Sequence, residues 1–233
     1  MAVSKLSDLP REFQNPTVEE AWNRLKKRRV SLFFKRVLDI LISFLLIILF
    51  SPLILVLMIC VAADSKGPVF FLQERVGRYG KPFRIIKFRT MVQNAEALGA
   101  QVTGGEDPRI TRMGRRLRSL RLDEIPQLFN IFAGQMSFVG TRPEVPRYVA
   151  AYDDRMRTTL LLPPGLTSMT SIRFRNESEL LENAENPDEV YIREILPEKM
   201  KYNVEYLEKA GPFYDLSVMW RTVTHVFFKC GED

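Results

Sequence analysis

Residues Ile40 to Ala63 read ILISFLLIILFSPLILVLMICVAA, 24 consecutive positions without a charge. A straight helix of that length covers about 36 Å, enough to cross the ~30 Å hydrocarbon core of a bilayer. Two features argue against simple crossing. Ser51-Pro52 interrupts the run at its midpoint, and proline removes one helical hydrogen bond and crowds the preceding turn. Both flanks are also basic: Lys26, Lys27, Arg28, Arg29, Lys35 and Arg36 precede the run, and Lys66, Arg75, Arg78 and Lys81 follow it. Positive flanks stay on the cytoplasmic side. A helix that enters, bends at Ser51-Pro52 and leaves on the same side satisfies both facts. A kinked crossing helix is the alternative, since proline is tolerated in those. The run begins too late, and lacks the cleavage pattern, for a signal peptide.

The chain has 233 residues, a net charge of +6 and two cysteines, with a pI near 9.4. That length suits one or two domains, and that charge suits an anionic partner. Cys60 and Cys230 are too few and too far apart for a disulfide framework or a zinc site. His225 is the sole histidine, so a histidine base is disfavoured and a nucleophile is expected from a carboxylate, Ser, Thr or Lys.

The strongest chemical signal is Leu122-Asp123-Glu124-Ile125-Pro126-Gln127-Leu128-Phe129-Asn130, behind Arg109, Arg112, Arg115, Arg116, Arg118 and Arg121. Guanidinium forks match phosphate oxygens. Adjacent carboxylates can hold Mg²⁺ together with substrate phosphates, and one of them can act as a nucleophile. A solvated ion-pair network is the plainer explanation of the same residues. Ile125, Leu128, Phe129 and Phe132 form an i, i+3, i+4, i+7 stripe, which predicts an amphipathic helix with Asp123 as its N-cap.

Around these blocks, Thr17-Val18-Glu19-Glu20 predicts a capping box opening a helix that carries Trp22. That helix suits either an anionic membrane surface or a soluble packing role, and residues before Pro16 are expected to be poorly ordered. Val69-Phe70-Phe71 and Phe83 to Phe88 predict a β-hairpin whose Arg75, Arg78, Lys87 and Arg89 face phosphates or lipid headgroups, or else solvent. A helix is expected from Thr90 to about Leu98, a loop from Ala100 to Asp107, and a basic helix from Arg109 to Leu120. Ser137 to Pro146 predicts a rigid loop presenting Arg142 to an oxyanion. Ser171 to Arg175 is a basic strand or loop, residues 176 to 210 are surface helices, and Asp215 to Phe228 is a final apolar helix.

Taken in order, these blocks resemble the bacterial sugar transferases in their small monotopic form. The resemblance runs from about Lys35 to Phe228. It is carried by Lys35-Arg36-Val37-Leu38-Asp39, Ser51-Pro52, Gly67-Pro68-Val69-Phe70, Gln73-x-Arg75-x-Gly77, Lys87-Phe88-Arg89-Thr90-Met91, the Asp123 block, Met136 to Gly140 and Arg142-Pro143. It implies transfer of a sugar-1-phosphate from a UDP-sugar to a polyprenyl phosphate, with Asp123 as nucleophile and Glu124 as its partner in binding Mg²⁺. It also implies that Arg118 and Arg142 contact substrate phosphates and that Ser51 and Pro52 form the re-entrant break. Arg175 keeps the position of a further arginine in this family, but Ser168 to Phe174 depart from the usual pattern. Thr141 stands where proline is commoner.

The expected fold is α+β, mainly α: a re-entrant membrane helix and a small cytoplasmic domain with a β-hairpin and amphipathic surface helices. The expected segments are 1–34 (basic and amphipathic), 35–64 (membrane helix), 65–175 (catalytic core) and 176–233 (helical). The expected setting is the cytoplasmic face of the bacterial inner membrane, with residues 176–228 as the place for a homodimer contact if one forms. Two other classes compete. A non-catalytic membrane-surface scaffold would keep the fold without the chemistry. A nucleic-acid binder is suggested by the pI, but it lacks interleaved aromatics and a recognisable motif.

Overall fold

The computed structural model describes residues 5–93, 95, 107–174 and 186–228. Helix α1 (Pro16–Lys27) starts at a proline in the first turn, and its cap is Asn15, whose side chain accepts from the Val18 amide. The cap thus lies two residues before the expected capping box, because proline at the first position already supplies the helical φ. Trp22 packs inward with Val18 and Leu25, against Tyr79 at a centroid distance of 6.0 Å. The indole is core rather than membrane surface. Over the described residues 5–15 the expectation of disorder before Pro16 also fails: the chain forms two 3-10 turns, Leu6–Asp8 and Arg11–Phe13, and buries Leu9 and, completely, Phe13.

Helix α2 runs unbroken from Arg29 to Asp64, 36 residues with Pro52 inside. A helix of this length is about 54 Å long. Pro52 cannot donate to the Ile48 carbonyl four residues back. The neighbouring Ser51 hydroxyl donates to that carbonyl instead, at 2.8 Å, so the pair that interrupts the ladder also repairs it. The buried side of α2 carries Lys35, Asp39, Ser43, Ile54, Leu57 and Val61. Its outward side is apolar and open: Leu45, Leu49 and Ile59 are each more than 60 % exposed.

The hairpin forms as expected from β1 (Phe70–Val76) and β2 (Pro82–Phe88), paired antiparallel with Phe71 opposite Lys87 and Arg75 opposite Phe83. This register puts Gln73, Arg75 and Lys87 on one face. Tyr79 and Gly80 turn the chain with positive φ. The expected helix from Thr90 is absent where the chain is described. Met91 instead bridges Ile110 antiparallel, because the Thr90 carbonyl accepts from Thr111 N and the Arg109 carbonyl from Val92 N. The rest of that stretch, and the loop to residue 106, lie outside the described residues.

Helix α3 (Arg112–Ser119) leads through a 3-10 turn, Leu122–Glu124, to α4 (Gln127–Phe132). Next come β3 (Ser137–Val139), α5 (Pro146–Val149), α6 (Asp154–Arg157), β4 (Gly165–Thr167) and α7 (Met169–Arg173). Strands β3 and β4 pair in parallel. They pass so closely that a Cβ on Gly165 would sit 2.1 Å from the Gly140 nitrogen; both positions need glycine. The Ser171–Arg173 segment is helical rather than a strand. Helices α8 (Pro187–Val190), α9 (Leu196–Lys209) and α10 (Pro212–Phe228) complete the chain. Helix α9 is not merely a surface helix: it buries Leu196, Met200, Asn203, Tyr206 and Leu207.

The main core joins α1, the hairpin, α4, β3 and the C-terminal helices. A smaller one packs Ile54, Leu57 and Val61 of α2 on Phe88 and Leu117. The architecture is mainly helical α+β with a long apolar helix, as expected. Phe13→Ala removes a fully buried ring lying against Gly80, and is expected to cost about 3–5 kcal/mol. Denaturation in detergent checks this, with loss of less than about 1 kcal/mol contradicting the packing described.

Candidate active site

The carboxylate pair does not cap α4. Asp123 and Glu124 lie in the preceding 3-10 turn, and the N-cap position belongs to Pro126 with no side-chain cap. A left-handed Arg121, φ 56°, makes the sharp reversal after α3 that delivers them; a non-glycine residue there stores strain of about 1 kcal/mol. The stripe on α4 is rotated from its expected position. Leu128 and Ile131 are the buried pair, while Phe129 and Phe132 are 40 % and 44 % exposed. Phe132 stacks on Phe44 of α2 at 6.0 Å, so the apolar side of α4 continues the open face of α2. Asn130 ties α4 to β2, accepting from Ile86 N at 3.0 Å and donating to the Arg84 carbonyl at 2.8 Å.

The two carboxylates are in different surroundings. Glu124 is buried. Its Oε1 accepts from Arg142 Nη2 at 2.5 Å and from Lys87 Nζ at 3.3 Å. Burial alone would raise its pKa, but Arg142 and Lys87 outweigh that and hold the carboxyl far below the usual carboxylate range. Glu124 in turn raises the Arg142 guanidinium. Among the described residues, Asp123 makes no hydrogen bond or ion pair through its carboxylate. Burial and the Glu124 charge push its pKa up, opposed by Lys87, Arg121 and Arg118. Burial lowers the Lys87 ammonium despite Glu124, and Arg142 and Arg75 add to the lowering. One carboxylate is locked and ionised; the other is left available for chemistry.

Behind them lies a second charged layer. Arg75 donates to Gln73 Oε1 at 2.7 Å and to the Pro143 carbonyl at 3.2 Å, and lies 3.9 Å from Glu144. Glu144 is buried and accepts from the Tyr191 hydroxyl at 2.6 Å, which itself accepts from Lys199 at 2.8 Å. This layer stiffens the Arg142-Pro143-Glu144 loop.

The expected site residues therefore sort as follows. Asp123, Glu124 and Arg142 come together, and the charges of Arg118 and Arg121 act on Asp123. Arg175 lies outside the described residues. Ser51 and Pro52 lie on α2, away from the carboxylates in sequence and role. Arg109 is held by Asp107, and Arg115 donates to the Ile110 carbonyl, so both serve local structure. On the hairpin, Arg78 donates to the Leu161 carbonyl, and buried Arg89 binds the carbonyls of Ser65 and Pro68; neither serves the site. Lys87 and Arg75 were expected to face phosphates, headgroups or solvent, and what the sequence did not reveal is that they pair with Glu124 and Glu144. The period-2 alternation that sets Gln73, Arg75 and Lys87 on one face was the available signal.

The electrostatics make a titration forecast. Carbon-13 NMR of the Asp123 carboxyl is expected to show a pKa above the ordinary value of about 3.9. Glu124→Gln, which removes a repelling charge, should lower it; Lys87→Met, which removes an attracting one, should raise it further. The same direction of shift in both variants would contradict this arrangement.

The family model for bacterial sugar transferases matches residues 30–229. A UDP-N-acetylgalactosamine-undecaprenyl-phosphate N-acetylgalactosaminephosphotransferase of Aeromonas hydrophila is 35 % identical over 194 residues, covering 82 % of this chain and 43 % of the relative. A UDP-glucose:undecaprenyl-phosphate glucose-1-phosphate transferase of Klebsiella pneumoniae is 36 % identical over 199 residues, covering 83 % of this chain and 40 % of the relative. The exopolysaccharide production protein ExoY of Sinorhizobium fredii is 31 % identical over 213 residues, covering 85 % of this chain and 87 % of the relative. The chain spans less than half the length of the first two relatives and most of the third. A match over 200 of its positions establishes that the chain belongs to the bacterial sugar transferase family.

Proposed function

We propose that this protein transfers a sugar-1-phosphate from a UDP-sugar to a polyprenyl phosphate, giving a polyprenyl-diphosphate sugar and UMP. The observation that carries the reading is the unequal carboxylate pair. Glu124 is neutralised by Arg142 and Lys87, whereas Asp123 keeps its oxygens unbonded among the described residues beside Arg118 and Arg121. Such a carboxylate is a nucleophile that needs no base.

In the first half-reaction an Asp123 oxygen attacks the phosphorus attached to the sugar. The new O–P bond forms as the bond to UMP breaks, and UMP leaves with the electron pair. An aspartyl phosphosugar results. In the second half-reaction an oxygen of the polyprenyl phosphate attacks that phosphorus, forms the diphosphate and returns Asp123 as a carboxylate. Arg118, Arg121 and Arg142 would offset the charge of the substrate diphosphate, which is the main task in such transfers. Lys87 holds Glu124 in place beside the nucleophile.

The donor set fits Mg²⁺ of one kind only. Among the described residues no group of three or more His, Cys, Asp or Glu side chains gathers anywhere. Asp123 and the Oε2 of Glu124, which meets Arg142 only at 3.4 Å, could hold an ion that takes its remaining ligands from substrate phosphates and water, the usual habit of Mg²⁺. Bound there, it would supply further neutralisation of phosphate charge.

Helix α2 supports a membrane setting. Lys35 and Asp39 at one end and Asp64 at the other all bond to the same globular body, and the side between them that faces away is apolar. Attachment of both ends of the helix to one body supports re-entry over crossing, and the basic flanks support the cytoplasmic face. The site is then at headgroup level, where a soluble nucleotide sugar and a lipid phosphate can both reach Asp123.

The test is UMP release by detergent-solubilised protein across a panel of UDP-sugars, with and without undecaprenyl phosphate and Mg²⁺. Sustained release with one sugar, dependent on both additions, is expected. Asp123→Asn should reduce it by at least about 10⁴-fold. Steady turnover by that variant would remove the nucleophile assignment, and a folded wild type inert on the whole panel would favour the scaffold alternative.

A further inference from the structure

The block Lys35-Arg36-Val37-Leu38-Asp39 carries family resemblance but takes no part in the chemistry above. Its charged side chains, Lys35, Arg36 and Asp39, face the globular body. Lys35, 5 % exposed, donates to the Val139 carbonyl at 3.0 Å, to the Ser137 hydroxyl and to Asp215 on α10. The Tyr206 hydroxyl donates to the same Val139 carbonyl at 2.9 Å. Asp39 accepts from the Phe138 amide at 3.1 Å. All three residues of β3 are thus gripped by one turn of α2, and β3 runs directly into Gly140-Thr141-Arg142.

Arg36 makes a second connection. Its guanidinium donates to the carbonyls of Ile131 at 2.8 Å and Phe132 at 3.0 Å. Both carbonyls lie at the C-terminal end of α4, where a cation is favoured. This fixes the helix that follows the carboxylate turn. At the far end of α2, Asp64 accepts from the Met113 amide at 3.0 Å. That amide belongs to the first turn of α3, the helix that carries Arg118. The smaller core, with Val61 against Phe88 and Leu117, packs the same corner.

We infer that α2 is a template as well as an anchor: Lys35 and Asp64 are positioning residues that set the places of Arg142 and Arg118 for the substrate diphosphate. Neither acts on substrate itself. Each works through the arginine-bearing element it holds, and a displacement of about 1 Å there is enough to cost tenfold to a hundredfold in turnover. The inference rests on the reading of Arg142 and Arg118 as diphosphate ligands.

Two double-mutant cycles in the full-length protein, read as KM and kcat for the UDP-sugar, test it. Lys35→Met is paired with Arg142→Ala, and Asp64→Ala with Arg118→Ala. Lys35→Met and Asp64→Ala alone should each raise KM about tenfold or more, while flotation with phospholipid vesicles stays at the wild-type level. In the arginine-free backgrounds the same changes should add less than about twofold, because residues acting through one shared partner are not additive. Asp64→Asn keeps an acceptor for the Met113 amide and should restore KM. Additive cycles, or failure of Asp64→Asn to rescue, would overturn the inference. Should Lys35→Met not fold, the exposed Asp64 arm decides alone. Unchanged KM in both single arginine variants would instead refute the diphosphate reading, which separates the two failures.

Discussion

The structure depends on one constraint: a helix of 36 residues whose two ends are bonded to the same charged body. Lys35 and Asp39 are the charges on the buried side of this helix, and burying them unpaired would be prohibitive. They are tolerated because Lys35 meets fixed partners on β3 and α10, and Asp39 meets the Phe138 amide of β3 and Lys35 itself. Once that end is seated, the outward face of α2 can be entirely apolar without unfolding the chain. Arg89 closes the other end by binding the Ser65 and Pro68 carbonyls. The Ser51 hydroxyl does for the Ile48 carbonyl what Pro52 cannot. A helix built in this way sets its open apolar face beside the body that carries the charged site, the arrangement that the proposed reaction between a soluble nucleotide and a lipid phosphate requires.

Within the site, adjacent carboxylates would ordinarily repel and titrate alike. Here geometry separates them. Arg142 and Lys87 take up the charge of Glu124, and the Arg75–Glu144–Tyr191–Lys199 layer stops Arg142 from relaxing away. Asp123 is left partly desolvated next to arginines that come from a different element. Desolvation makes a carboxylate a better nucleophile and makes arginine contacts with phosphate stronger. Placing Asp123 after a left-handed Arg121 puts it on a tight turn rather than in a helix, where its oxygens would have found backbone amides.

Much of this was legible in the sequence. The apolar run, the hairpin with its alternating faces, the apolar C-terminal helix and the Asp123-Glu124 pair all follow from local pattern. What failed was local reasoning applied where distant contacts decide. Leu9 and Phe13 looked like a loose terminus because no periodicity marks them, yet they fill the core beside Tyr79 and Gly80. Phe129 and Phe132 fit a buried stripe, but α4 lies alongside α2, so they join the open apolar face and Ile131 turns inward. Arg78 and Arg89 are as basic as Arg75, and only the fold shows that they bind main-chain carbonyls. The parallel β3–β4 pair is three residues long on each side, too short for a period to show. The role of Lys87 depends on a partner 37 residues away, and that of Lys35 on partners more than 100 away.

The central claim is that Asp123 becomes covalently bonded to the phosphosugar. Intact mass measurement of the protein mixed with its UDP-sugar, with no polyprenyl phosphate present, tests it directly. The account predicts an added sugar-phosphate mass that maps to the peptide containing Asp123, disappears on adding the lipid acceptor and never forms in Asp123→Asn. Rapid turnover of the complete reaction with no adduct at any time, or an adduct on another residue, would contradict it.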